Sequence, residues 1–203
     1  MGNILTIMNM VRDASTPPDL IDTYELPSTD LGNYRGIVVS MGADQVFLER
    51  QRERLSDWVR AGGKLLANGL PMRRWVDGLP THRKMEFHGL DDVWLSAVEP
   101  HPIWEGVERR DMLLRTGVPG KHSFEELREI GVAGFYARSF LSDLPAGARV
   151  ITGIGPGKLP VDVSYRLGEG EVIVHNGNDL SGFAFPGTSA AGLRRAITEY
   201  LEK

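Results

Sequence analysis

The stretch from residue 36 to residue 68 constrains the fold more than any other part of the chain. It opens with Gly36-Ile37-Val38-Val39-Ser40, a short β-branched run of the kind that parallel sheets bury on both faces. An amphipathic helix over residues 47–61 follows. Leu48, Leu55, Trp58 and Val59 share one face of it, and Glu49, Arg50, Arg52, Glu53 and Arg54 fill the other. Asp44 stands where an N-cap belongs, and Gly62-Gly63 supplies a left-handed stop. Residues 64–67 begin the next strand. Strand, capped helix, glycine pair and strand make a right-handed βαβ unit, which builds parallel sheets covered by helices. The expected class is therefore α/β with a mostly parallel central sheet.

The flanks extend the same pattern. Residues 4–8 read as a first strand, Pro17-Pro18 breaks the chain, and residues 21–26 read as an edge strand. Residues 70–92 are irregular and rich in Arg, His and Pro, and a strand over 93–98 precedes the turn at His101-Pro102. Ser123 and Glu126 form a capping box for a short helix that Gly131 ends. Four further strands are expected at 134–139, 148–154, 161–167 and 171–174, separated by Gly/Pro turns. Thr188 or Ser189 caps a last helix whose Leu193, Ile197, Tyr200 and Leu201 face the core. With 203 residues and neither repeat nor linker, residues 1–203 read as one domain.

Composition removes several functions. A net charge of −4 with no basic run argues against a nucleic-acid partner. The absence of cysteine excludes disulfides, thiolate nucleophiles and cysteine-ligated metals. No apolar run approaches the ~18 residues of a membrane span, and the N-terminus lacks a secretory pattern, so a cytoplasmic location is expected. Met1-Gly2 with Thr6 satisfies a loose myristoylation form, but Ile4, Leu5 and Ile7 read better as the buried first strand.

In order along the chain, three segments resemble a known group. They are the unit ending in "WVRAGGKLLANG", "HPIWEGV" at residues 101–107, and "YRLGEGEVIVHNGND" at residues 165–179. Together they resemble the class I glutamine-amidotransferase-like superfamily, and within it the trehalose-utilisation (ThuA-like) family. The resemblance implies a flavodoxin-like three-layer sandwich. Ligands would then bind at the carboxyl ends of the strands, where the order of strands reverses. It also exposes a departure. Superfamily amidotransferases carry a cysteine on a tight strand-to-helix turn, whereas this chain reads Leu66-Ala67-Asn68-Gly69-Leu70-Pro71 there. None of those side chains is an acyl-transfer nucleophile, so glutamine hydrolysis is not expected.

The strand ends supply the candidate site. His175 is the candidate acid or base, with Asp179 orienting it and Asn176 and Asn178 binding hydroxyls. The plain alternative is a polar turn, since Asn, Gly and Asp are ordinary turn residues. Asp44, Asn68 and Gly69 are further ligand candidates, although Asp44 reads more readily as a helix cap. His88 is a second histidine candidate because the family tends to place one after the 70–92 insertion. Arg73, Arg74, Arg83 and Lys84, near Trp75 and His82, suit an acidic or sugar ligand, yet such a stretch is more often a solvated face. Gly153-Ile154-Gly155-Pro156-Gly157 leads into another strand and not a helix, so it reads as a turn and not a nucleotide loop. The histidines at 82, 88, 101, 122 and 175 include no metal-binding spacing, and no metal or other cofactor is expected.

Three functions follow. The first is a nucleophile-less domain that binds a small, polar, carbohydrate-like ligand. The second is an enzyme moving a proton on a sugar or keto-sugar through His175. The third is an interaction module in which Trp75 and Trp94 contact a partner or a second copy in a homo-oligomer.

Overall fold

The computed structural model describes residues 4–86, 88–114, 126 and 134–203. Among them, ten strands run in chain order: β1 (Ile4–Met8), β2 (Leu20–Asp22), β3 (Gly36–Val39), β4 (Lys64–Asn68), β5 (Thr81–Lys84), β6 (Leu95–Ala97), β7 (Ser139–Ser142), β8 (Arg149–Ile154), β9 (Leu159–Leu167) and β10 (Gly170–His175). Eight of them form one sheet in the order β2-β1-β3-β4-β10-β9-β8-β6. Strands β2, β1, β3, β4 and β10 are parallel, and β9, β8 and β6 extend the sheet as antiparallel neighbours. The expected α/β class with a mostly parallel central sheet is what the chain adopts.

Side chains alternate across this sheet, so each strand feeds two cores. Leu65 and Ala67 of β4, with Val172 and Val174 of β10, pack on one face. They meet Leu48 of α1 (Gln45–Arg50) and Leu55 and Val59 of α2 (Arg52–Arg60) there. Leu66 and Ile173 point to the other face, beneath Leu193, Ile197 and Leu201 of α3 (Leu193–Leu201). Helices thus cover both faces.

The helix expected over 47–61 is interrupted. Gln51, with φ −100° and ψ 9°, separates α1 from α2 without a side-chain cap of its own. Its start and stop are as expected. Asp44 accepts from the Val46 and Phe47 amides, and Gly62 takes φ +113° while Gly63 N–H returns to the Trp58 carbonyl.

Four expectations need correction. The edge strand at 21–26 stops at Asp22, because Asp22 and Glu25 cap a 3₁₀ turn over Thr23–Ser28. The strand at 93–98 shrinks to Leu95–Ala97 after a 3₁₀ turn at Leu90–Val93. Within 134–139, Phe135 makes only an isolated bridge to Leu114, and regular pairing begins at Ser139. The 70–92 segment is not wholly irregular: β5 pairs with β7 in a separate two-stranded sheet. Its sequence, Thr-His-Arg-Lys, has no apolar alternation to reveal a strand. The myristoylation glycine Gly2 and the helix entry at Ser123 lie outside the described residues.

Candidate functional site

Strands β4 and β10 end side by side, with His175 level with Asn68 in the parallel register. Beyond these ends lies a cleft of about 770 Å³. Asn176, Gly177 and Asn178 form one wall of it and residues 134–139 another. Leu70, His82, Lys84 and Met85 bring the 70–92 segment over the strand ends.

His175 lies beneath that cleft and not in its wall. Its imidazole is fully buried. Nδ1 sits 2.6 Å from Asp162 Oδ1, and Asp162 is equally buried. A carboxylate only accepts, so Nδ1 carries the hydrogen and donates. The other Asp162 oxygen accepts from the Tyr136 hydroxyl at 2.8 Å, and that hydroxyl accepts from Trp104 Nε1–H at 3.2 Å. Burial, together with Asp162, pushes the Tyr136 phenol well above its ordinary range, so it remains a donor. The result is a continuous chain, Trp104–Tyr136–Asp162–His175, in which His175 Nε2 has no partner among the described residues. Gly177 closes over that nitrogen. A Cβ at 177 would fall 2.2 Å from the Tyr136 carbonyl oxygen and 2.8 Å from Nε2.

The carboxylate that orients His175 is therefore Asp162, not Asp179. In the β9–β10 hairpin Asp162 stands directly across from His175, whereas Asp179 follows the strand into a loop. Asp179 turns to the residues just after β3, where Ser40 Oγ–H donates to its Oδ2 at 2.9 Å and Met41 N–H to its Oδ1 at 2.8 Å. Asn68 has a matching role: its Nδ2 donates to the Val39 carbonyl and its Oδ1 accepts from Leu180 N–H. Both side chains tie the loop after β10 to the neighbouring strand ends.

The other candidates separate. Asn176 and Asn178 line the cleft, and Asp44, Gly69 and His88 do not. The acceptor capacity of Asp44 is taken by the α1 amides and by the Tyr24 hydroxyl, which hold its carboxyl below the usual range. Gly69 is the left-handed residue of the turn after β4, at φ +97°. A Cβ there would come within 2.9 Å of Met41 Cα, so the position excludes a side chain of any kind. The His88 side chain is 88% exposed beside Asp92, away from the cleft. Trp75, expected as an exposed anchor, is buried in the core under α2. Among the described residues no three His, Asp or Glu side chains converge as a metal site requires.

Several contributors to the cleft were not assigned to it from the sequence. Tyr136 and Ser139 arrive from the segment before and at the start of β7, and Arg138 lies between them. His82 and Lys84, set aside as part of a solvated stretch, reach the cleft because alternate residues of β5 share a face. Arg83, between them, turns away to Ser142 and Asp143.

The floor of the cleft holds polar groups with spare capacity. Asn176 is fully buried, its Nδ2 donating to Ser139 Oγ at 3.0 Å while its Oδ1 has no partner among the described residues. Turning the amide over would satisfy Ser139 with the oxygen and leave the nitrogen free, so one end of the amide is spare in either orientation. His82 Nδ1 is likewise buried and unpartnered among the described residues. An unpaired buried polar atom costs roughly 1–3 kcal/mol, a cost that a ligand hydroxyl at that atom would remove.

No family model matches the chain, and no curated protein does. Solved structures do match. The chain is similar to Cytoplasmic Protein STM3548 from Salmonella typhimurium, with 12% identity and a TM-score of 0.56 over 98% of this chain and 99% of that one. It is also similar to a cold-adapted beta-galactosidase from Rahnella sp. R3, with 13% identity and a TM-score of 0.54. That match covers 98% of this chain but only 31% of the galactosidase, so the chain spans about a third of that enzyme's length. At such identities the likeness is one of fold: this chain shares its architecture with the first protein and with the matched third of the galactosidase.

Proposed function

We propose that this chain is a glutamine-amidotransferase-like domain of the trehalose-utilisation kind that has no nucleophile and binds a small, polar, carbohydrate-like ligand at the strand ends. The flavodoxin-like three-layer arrangement and the cytoplasmic location expected from the sequence belong to the same reading. The observation that carries it is the spare amide end of Asn176, fully buried at the floor of a cleft of about 770 Å³. Binding clefts of roughly 300–1,000 Å³ characteristically pair apolar walls with a few convergent polar groups. Met41, Leu70, Met85, Phe135 and Ala137 provide the walls here, and Asn176, Ser139 and His82 the polar groups. The same reading includes no glutamine hydrolysis, and the turn after β4 supports it: Gly69 has no room for a side chain and its neighbours carry no thiol or hydroxyl.

Proton transfer by His175 is the weaker alternative, because Tyr136 and Gly177 stand between its ring and the cleft. Thermal-shift screening of the whole chain against neutral sugars, sugar acids and sugar phosphates tests the binding reading. At least one class should raise the melting temperature, and Asn176→Leu should abolish the rise. Stabilisation by none of them, or a rise unchanged in the variant, refutes it.

A further inference from the structure

The lining of the cleft carries a charge imbalance that binding a neutral sugar would not require. It includes Lys84 and Arg138 and, among the described residues, neither Asp nor Glu, in a chain whose net charge is −4. Several basic side chains elsewhere have carboxylate partners. Arg52 and Arg60 converge on Asp77, Arg149 meets Glu99, and Arg12 meets Glu25. Arg83, one residue from Lys84 but on the opposite face of β5, lies 4.0 Å from Asp143. Lys84 and Arg138 have no such partner among the described residues; Arg138 only rides over the Phe135 ring, 5.8 Å from its centroid. Two unneutralised cations in a concave site lined partly by apolar side chains concentrate positive potential there.

Deeper in the cleft the demand is different. Asn176 offers one free amide end, Ser139 Oγ already accepts from it, and His82 Nδ1 is unpartnered. A hydroxyl both donates and accepts, so it satisfies either orientation of the amide. We infer that the cleft takes a hydroxylated anion. Its carboxylate or phosphate is held by Lys84 and Arg138 at the rim, and a hydroxyl meets Asn176 at the floor. This assignment rests on the binding function proposed above and narrows its ligand class. Sugar acids and sugar phosphates share the required chemistry, with the planar fork of Arg138 suited to both.

Isothermal titration of the full chain with glucose, gluconate and glucose 6-phosphate tests it, at low salt and again at 0.5 M NaCl. At least one of the two anions is expected to bind ten-fold or more tightly than glucose and to weaken in salt. The better anion also identifies which acidic group the site prefers. The Lys84→Met/Arg138→Met double variant should lose at least ten-fold of that affinity, whereas Arg83→Met should keep it. Both replaced side chains are exposed, and melting curves of the variants are the control for folding. Glucose binding as tightly as both anions overturns the anion assignment and leaves the binding reading intact. Anion affinity unchanged in the double variant also overturns it. If none of the three probes binds, the binding reading falls, and the assignment with it.

Discussion

Replacing Asp162 with alanine should be among the most damaging single changes in this protein, and the size of the effect follows from its contacts. Asp162 is fully buried and accepts from two equally buried donors, His175 Nδ1–H at 2.6 Å and Tyr136 O–H at 2.8 Å. Alanine orphans both, and each orphaned buried donor costs roughly 1–3 kcal/mol. Removing the carboxylate also relieves its own desolvation, so the two costs are partly offset. Breaking one side of a buried pair nevertheless leaves a net loss of about 3–5 kcal/mol. With a urea m-value of about 2–3 kcal/mol/M, the midpoint should fall by about 1–2.5 M. Asp162→Asn is the graded control. Its oxygen still accepts from His175, but its amide donates towards Tyr136, whose own hydrogen then has no acceptor, so about one hydrogen bond is lost. Urea melts followed by circular dichroism should rank wild type above Asn and Asn above Ala. If the alanine variant lost less than about 1 kcal/mol, or outlasted the asparagine variant, the network would not be the stabilising unit described here.

Three other outcomes follow from the same geometry. Burial, the largest influence, holds the His101 pKa below the ordinary 6.5 despite Glu171 at 4.0 Å, and the Ile103 amide already donates to its Nδ1. The folded chain therefore resists a proton that the unfolded chain accepts. His101 contributes stability above pH 6.5 that is lost as pH falls towards its folded value. The drop in urea midpoint between pH 7.5 and pH 5 should be smaller in His101→Asn, which keeps an oxygen for the Ile103 amide; an equal drop in both proteins would remove His101 as the cause. Gly177→Ala would place a methyl 2.2 Å from the Tyr136 carbonyl oxygen, so a loss of about 3 kcal/mol or more and a melting temperature lower by about 6 °C or more are expected. A melt within 2 °C of wild type would contradict that packing. Asn68→Ala strips partners from the Val39 carbonyl and the Leu180 amide, costing roughly 2–4 kcal/mol. Hydrogen exchange at Leu180 should rise with it, and unchanged protection there would show that Asn68 does not hold this loop.

Much of the scaffold was readable from residue order. The periodicities of 36–40 and 47–61 and the stop at Gly62 are local properties, and β3, the N-cap of α1, the end of α2 and β4 follow them closely. The break at Gln51 was not readable, because nothing in Glu-Arg-Gln-Arg-Glu opposes a helix. The partner of His175 was within reach. The strands expected at 161–167 and 171–174 flank a Gly168-Glu169 turn, and extending that hairpin outward from Leu167 and Gly170 sets Asp162 opposite His175. Proximity along the chain pointed to Asp179 instead, and a loop's direction cannot be counted as a strand's can.

Residue order alone settled the α/β class of the fold and the absence of cysteine, since each depends on residue type and short-range repeat. Assembly of the sheet settled which groups meet. It sank His175 below the cleft floor, paired it across a hairpin, and drew Lys84 and Arg138 together on strands and segments over fifty residues apart. The reason is geometric. A polar strand such as β5 has no apolar rhythm to announce its faces, so the faces of His82 and Lys84 exist only once β7 lies beside it.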